Sequence, residues 1–236
     1  MSSPGRRPWL SIVLPCWNDG AAVAERILSI RGGGPLGAAV EFVVADASNR
    51  EPSFPKSDRP SEVRWLDGLP PGRGGQLREG AKSAAGEVFL FHHADNELRE
   101  EHLASLRRIL EDPEVQAGAY HRNFAANWPS LAGLEPMARW WGRRWGFLYG
   151  DQSVWVRRRF YERLGGIKVL PLMEDVEFSD RLRSMIRPVL LDPPLEASMR
   201  RFQAKGRLHN KLSNLKLIAL YRMGVSPRKL YDIYYG

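Results

Sequence analysis

Leu10-Ser11-Ile12-Val13-Leu14-Pro15-Cys16-Trp17-Asn18-Asp19 is the stretch on which the fold turns. A short apolar run, Leu10–Leu14, is broken at once by Pro15 and by the polar pair Asn18-Asp19. That pattern reads as a buried strand delivering polar side chains at its carboxyl end. Outward from it, a helical pattern runs from about Ala21 to Arg31. Val40–Ala45 is a second buried strand ending at Asp46, and Val63–Leu66 a third. Between them, Ser48–Ser61 is rich in Pro, Ser and charge and reads as a surface connection. Gly72–Gly74 opens a helix towards Ala85, Val88–His92 is a fourth strand ending at Asp95, and helix Glu100–Glu111 stops at Asp112-Pro113. Strands alternating with helices predict an α/β fold built on βαβ units.

The second half has a different texture. Gln116–Phe124 alternates like a sheet strand, Leu134–Trp145 is an aromatic, arginine-rich helix, and Ser153–Arg157 is a short strand. Asp175–Ser184 reads as a helix, with strands at Pro188–Leu191 and Glu196–Arg200. A last helix over about Arg207–Met223 places Leu208, Leu212, Leu215 and Ala219 on one face. The expected organisation is one domain over residues 1–236. It has a ligand-binding half at 10–96, a second half at 97–200 and a basic helical extension at 201–236.

A chain of 236 residues suits one substantial α/β domain, and no repeat or low-complexity tract divides it. A single cysteine, Cys16, excludes an internal disulfide framework and a cysteine-rich zinc site, and reads as a small buried residue. No apolar stretch reaches the roughly 18 residues of a membrane span, and the basic N-terminus is followed by no secretory core. These features predict a cytoplasmic protein. The net charge of +8 is unevenly placed: from Arg181 onward there are twelve Lys/Arg against three Asp/Glu, while the preceding residues are almost balanced. A basic last quarter fits phosphates, an anionic membrane surface, nucleic acid, or simply a solvated face. No nucleic-acid-binding motif accompanies it, so nucleic acid is not expected as a partner. Peripheral contact with the inner face of a membrane, through the basic C-terminal helix, stays open.

Polar clusters fall at the ends of three strands: Pro15, Asn18 and Asp19; Asp46 and Ser48; His93, Asp95 and Asn96. In an open α/β sheet ligands bind outside the carboxyl ends of strands, near the reversal of strand order. One acidic residue there is commonly a cap or turn former; three clusters converging on one crevice predict a binding site. Asp95 is a candidate for a hard divalent cation, Mn²⁺ or Mg²⁺, which prefers oxygen ligands. Gly72-Arg73-Gly74-Gly75 before a helix offers backbone amides and a guanidinium to an anion, although such turns are common.

With these residues in order, the sequence resembles the family 2, GT-A-type glycosyltransferases. Ile12 to Asp19 resembles their opening-strand motif, Val43 to Ser48 their second-strand motif, and Leu90 to Asp95 stands at their D-x-D metal motif. Gly150-Asp151-Gln152 and Met173-Glu174-Asp175 resemble the acceptor-side loop and the catalytic acidic pair. A closer resemblance is to a compact bacterial subgroup associated with arsenosugar biosynthesis and radical-SAM gene neighbourhoods. It is carried by Gly72 to Gln76, Tyr149 to Gln152, Pro171 to Glu177 and Arg200-Arg201.

The resemblance implies the GT-A fold, with a Rossmann-like mixed central sheet flanked by helices, and an inverting transfer of a sugar from a nucleotide-sugar, UDP-linked, to a hydroxyl acceptor, assisted by Mn²⁺ or Mg²⁺. It implies Asp175 with Glu174 as the catalytic pair, Asp175 being the general base. Pro15, Asn18, Asp19, Asp46, Ser48, Arg73 and Gln76 would bind the nucleotide, with Arg200 and Arg201 on the diphosphate. Asp151, Gln152 and Trp141 would meet the acceptor, and Asp95 with His93 the metal. Glu174 and Glu177 crowd Asp175 with like charge, which would raise its pKa.

His93 replaces the first carboxylate of D-x-D, Asp19 a glutamate, and Ala47 a second acid beside Asp46. These departures weaken the choice of metal and nucleotide. The same local sequences have plainer readings: Asp95 as a turn residue, the acidic pair as a complement to a helix dipole, and Trp140, Trp141 and Trp145 as packing. A nucleotidyltransferase acting on a sugar phosphate, or a non-catalytic anionic-surface or nucleic-acid binder, are the alternatives.

Overall fold

The computed structural model describes residues 7–49, 54–122, 148–196 and 216–235. Seven strands form one sheet: β1 (Leu10–Cys16), β2 (Glu41–Asp46), β3 (Arg64–Leu66), β4 (Val88–Phe91), β5 (Ala117–Arg122), β6 (Val154–Arg157) and β7 (Val189–Leu195). Their order is β3-β2-β1-β4-β6-β5-β7. β1 is parallel to β2 and β4, and β2 to β3; β6 is antiparallel to both β4 and β5, and β5 is parallel to β7. The helices are α1 (Gly20–Gly32), α2 (Pro35–Ala38), α3 (Arg73–Ser83), α4 (Glu100–Ile109), α5 (Arg158–Arg163) and α6 (Glu174–Met185). Two more close the chain, α7 over 216–222 and α8 (Pro227–Tyr235).

Alternation along β1 divides the core into two layers. Leu10, Ile12, Leu14 and Cys16 pack with Val23, Ile27 and Ile30 of α1 and Leu103 and Leu106 of α4. Val13 points the other way, joining Leu77 and Ala81 of α3, Phe160 of α5, and Phe178 and Leu182 of α6. Both faces of β1 are therefore covered, which is why its sequence is nearly continuously apolar rather than alternating. Close approach of α3 to β1 requires Gly80, where a Cβ would stand 2.4 Å from Val13 Cγ1. Each large side chain buried in these layers contributes about 1.5–3 kcal/mol. An exposed pair such as Lys82–Glu79 adds only about 0–1 kcal/mol. The layers, not the surface ion pairs, hold the sheet.

The strand expectations hold for β1 to β6 within a few residues. β7 extends the strand expected over Pro188–Leu191, running from Val189 through Pro193-Pro194 to Leu195. It lies at the edge of the sheet, where missing backbone N–H groups leave no ladder bond unmade. α5 and α8 were not expected. The helix expected over Leu134–Trp145, the strand residues beyond Glu196 and most of the expected helix Arg207–Met223 lie outside the described residues.

α6 is anchored by Glu177. Arg181 grips both of its carboxylate oxygens, each at 2.7 Å, and Lys168 reaches one at 2.7 Å. Arg181 extends the staple to the carbonyls of Leu164 and Gly166. Burial raises the Glu177 pKa, but hydrogen bonds from Arg181 and Lys168 outweigh it and leave it below the ordinary value. A folded-state pKa depressed in this way gives stability that is full above about pH 4.5 and is lost as pH falls through the folded value. Glu177→Gln should therefore cost about 2 kcal/mol at neutral pH. The loss should shrink on acidification below about pH 4.5, as read by urea unfolding at several pH values.

Candidate functional site

The sheet order reverses between β1 and β4, and the register opens a crevice there. β1 and β2 end level, Cys16 beside Asp46, while β4 ends three residues lower, Phe91 beside Val13. The three polar clusters expected from the sequence all emerge around this gap.

On the β1–β2 side they form one hydrogen-bonded unit. The Asn18 amide donates to Ser48 Oγ at 2.7 Å, Ser48 Oγ donates to Asp46 Oδ1, and the Ser48 amide donates to the same oxygen at 2.9 Å. Asn18 Nδ2 donates to Asn49 Oδ1 at 3.0 Å, and the Trp17 amide to Asp19 Oδ1 at 2.9 Å. The other oxygen of Asp46 accepts the Trp65 indole N–H at 3.2 Å. Asp46 is buried, and a carboxylate has about four acceptor positions, so these contacts orient it without saturating it. Gln76 donates both amide hydrogens to main-chain carbonyls, Cys16 at 2.7 Å and Ala45 at 2.8 Å. It ties the ends of β1 and β2 together, leaving Oε1 as its only further group. Pro15 lies within β1, half-buried.

On the β4 side, His93 Nδ1 lies 3.1 Å from Asp95 Oδ2, both side chains partly exposed. That separation is a direct imidazole–carboxylate contact, and the Asp95 amide also donates to Nδ1 at 3.3 Å; by chemical type the two side chains are donors that a divalent ion such as Mn²⁺ accepts. Among the described residues no three His, Cys, Asp or Glu side chains converge. A cation here would draw its other ligands from phosphate oxygens and water. The neighbouring His92 turns inward: it is buried, shares a 2.8 Å hydrogen bond with Ser153 Oγ, and burial pushes its pKa down to about 3.

Opposite this pair stands the start of α6. Glu174 is buried and receives Arg73 Nη1 at 3.0 Å. Burial raises its pKa, the Arg73 charge opposes that, and the charge of Asp175 adds to the rise. Asp175 is more open. Its Oδ2 accepts the Gly150 amide at 2.8 Å, and its Oδ1 the Val176 amide at 2.8 Å. Arg73 Nη2 also donates to the Gly150 carbonyl at 2.7 Å. Gly150 is thus gripped at both backbone groups, and a Cβ there would overlap the guanidinium, 2.1 Å from Nη1.

The turn at 150–152 reaches back to β4, for Asn96 Nδ2 donates to the Asp151 carbonyl at 2.7 Å. Gln152 Oε1 accepts the Tyr149 amide at 2.8 Å, leaving the Asp151 side chain exposed. One chain of contacts accordingly links Asp95-Asn96, the turn and Asp175.

Three findings adjust the sequence expectations. Arg73, expected at the nucleotide, is engaged with Glu174 and Gly150 on the far side of the crevice. Glu177 does not crowd Asp175 with free negative charge, because Arg181 and Lys168 neutralise it. Trp65 joins the site without having been singled out, and the links of Asn96 to Asp151 and of the Gly150 backbone to Arg73 and Asp175 are tertiary contacts that the sequence did not give. Arg200, Arg201 and Trp141 lie outside the described residues. The non-glycine residues with left-handed backbone are Asn18, Ser153 and Met173, at φ 56°, 50° and 68° among the described residues. All three flank this crevice, and such strain concentrates where geometry is constrained by function.

No protein-family model and no curated protein sequence matches the chain. Among solved structures it is similar to the mannosyltransferase PcManGT from Pyrobaculum calidifontis, in complex with GDP-Man and Mn²⁺. The TM-score is 0.61 at 19% identity, over 98% of this chain and 69% of that one. It is also similar to TarS 1-349 of S. aureus, with TM-score 0.57 at 15% identity over 94% and 68%. TarS 1-349 in complex with UDP-GlcNAc gives 0.55 at 13% identity, over 94% and 69%. The fold is that of the GT-A glycosyltransferases. None of these comparisons reaches the arsenosugar-associated subgroup that the motifs resemble.

Arg73→Ala separates a structural clamp from a phosphate ligand. It should lower stability by about 2–3 kcal/mol, since it leaves Glu174 buried without its cation. The affinity for a nucleoside diphosphate, read by calorimetry, should change by less than about twofold. A tenfold loss would mean that the guanidinium serves the diphosphate.

Proposed function

We propose that this chain is an inverting glycosyltransferase that moves a sugar from a nucleotide-sugar, UDP-linked, to a hydroxyl acceptor. The observation that carries the reading is the 150–152 turn. Through Asn96 it is fixed to the candidate metal pair, and through the Gly150 amide to Asp175. A site for a departing diphosphate and a site for a base then face one another across one crevice, on a fold whose solved relatives hold GDP-Man or UDP-GlcNAc.

The residues divide the work as follows. Asp46, oriented by Ser48 and Trp65, accepts hydrogen bonds from the base, while Asn18 and Asp19 shape the wall beside the nucleoside. A Mn²⁺ or Mg²⁺ ion held by His93 and Asp95 would supply positive charge to the diphosphate as it leaves. Asp175 takes the proton of the acceptor hydroxyl. The freed oxygen attacks the anomeric carbon from behind as the bond from that carbon to the phosphate oxygen breaks, and the nucleoside diphosphate departs with those electrons. Each Asp175 oxygen accepts one backbone amide, Oδ2 from Gly150 and Oδ1 from Val176, which fixes the carboxylate while each oxygen keeps a second lone pair for the acceptor hydroxyl. Glu174, fixed by Arg73, positions this helix start, and the Asp151 side chain and Gln152 line the acceptor side.

Release of nucleoside diphosphate from a panel of UDP- and GDP-sugars with Mn²⁺ tests the assignment. Asp175→Asn should slow release about 10³-fold while nucleoside diphosphate affinity stays within about twofold. An equal loss of affinity, or pyrophosphate release from a nucleoside triphosphate instead, would contradict it.

A further inference from the structure

The C-terminal hairpin formed by α7 and α8 is attached to the body by a small cluster. Leu217 and Leu230 pack with Met173 and Val176, the residues that flank Glu174-Asp175. Arg222 adds a contact to Asp180 at 3.6 Å. Within α8 only Leu230 is buried.

The rest of its apolar surface faces outward: Tyr231 is 42% exposed, Ile233 50%, Tyr234 40% and Tyr235 65%. The three tyrosines make one patch, with Tyr235 against Tyr231 at 4.6 Å and against Tyr234 at 4.7 Å between ring centroids. At about 100° per residue, Tyr234, Tyr231 and Tyr235 lie together on one side of the buried Leu230, and Ile233 lies on its other side. Arg228 and Lys229 stand at the two borders of this surface, and Asp232 lies between them on the opposite side. With Arg222 paired to Asp180, the exposed cations Lys216, Arg228 and Lys229 of the hairpin outnumber the one acid of α8, Asp232.

We propose that α8 is an interfacial helix that docks the enzyme on an anionic lipid surface. Tyrosines and an isoleucine bordered by Arg and Lys suit the headgroup boundary, where ring bodies enter and cationic heads reach phosphate. Charge decides the occupant: pairing with a second copy would bring the cations of two hairpins together, whereas anionic lipid complements them. The sequence pointed to the basic helix ending at Met223, most of which lies outside the described residues; this proposal rests on Pro227–Tyr235 instead. Because the hairpin is seated beside the start of α6, the lipid surface would lie next to the mouth that holds Asp175. Among the described residues no helix is long and apolar enough to cross a membrane.

Flotation of the full chain with vesicles tests this, comparing phosphatidylcholine alone with phosphatidylcholine carrying roughly 30% phosphatidylglycerol. Binding should be at least about tenfold tighter to the anionic vesicles and weaken in about 0.5 M salt. Two variants, Tyr231→Ser/Ile233→Ser/Tyr235→Ser and Arg228→Glu/Lys229→Glu, should each lose at least about tenfold in partitioning while keeping the wild-type far-UV circular dichroism and melting temperature. All substituted side chains are exposed, so folding should survive. If both variants stay folded and bind anionic vesicles as the wild type does, or if the wild type binds none, the proposal is overturned. It is equally overturned if light scattering shows a wild-type dimer that the first variant dissolves, which would assign the face to a second copy.

Discussion

Taking a carboxylate out of water is costly unless a cation and hydrogen bonds meet it, and Glu174 is buried at the start of α6. Arg73, from the first turn of α3, meets it at 3.0 Å and holds the Gly150 carbonyl with its other nitrogen. That guanidinium joins three pieces of chain distant in sequence: the helix packed on β1 and β2, the turn before β6, and the helix bearing Asp175. The Gly150 amide then holds Asp175. Remove the clamp and the base, the turn and the donor-side helix lose their common reference. The close fit explains Gly150, whose Cβ would occupy the guanidinium's place. It also explains Gly74, whose Cβ would come within 2.7 Å of the Lys168 carbonyl and 3.1 Å of Glu174 Cβ.

The opposite wall depends on a different economy of groups. Gln76 holds the carboxyl ends of β1 and β2 level, and Ser48 passes a hydrogen bond from the turn after β1 to Asp46. Because β4 stops lower than β1, His93 and Asp95 enter the gap beneath this wall. Strained backbone at Asn18, Ser153 and Met173 marks the edges of the same gap. Each lies where a chain leaves or enters an element and must present the next side chain to the crevice. Packed strands on either side keep these residues from relaxing.

Much of this was legible in the sequence where the signal is local. Both-sided burial leaves a continuous apolar run, so β1, β2 and β4 and the polar residues at their ends could be read directly. Cys16 likewise falls inside, as expected. The role of Arg73 was not legible, because its partner is 101 residues away and a guanidinium after glycine suggests a phosphate as readily as a carboxylate. Trp65 reaches Asp46 only through the pairing of β2 with β3. Two prolines hid the continuity of β7, since prolines break strands except at an edge, and edge position is a property of the whole sheet. For α8 a signal did exist: Ser226 and Pro227 stand where a cap and first-turn proline belong, and the Lys229 amide points to Ser226 Oγ at 3.4 Å.

The central claim is that the ends of β1, β2 and β4 form a single site for a nucleoside diphosphate and a divalent ion. Calorimetric titration of UDP and GDP, with Mn²⁺ and with EDTA, into wild type and Asp95→Ala measures it most directly. The account predicts that one of the two binds, that Mn²⁺ tightens it at least about tenfold, and that the tightening disappears in the variant. Binding equally tight with EDTA, unaffected by Asp95→Ala, or no binding under any condition, would contradict it.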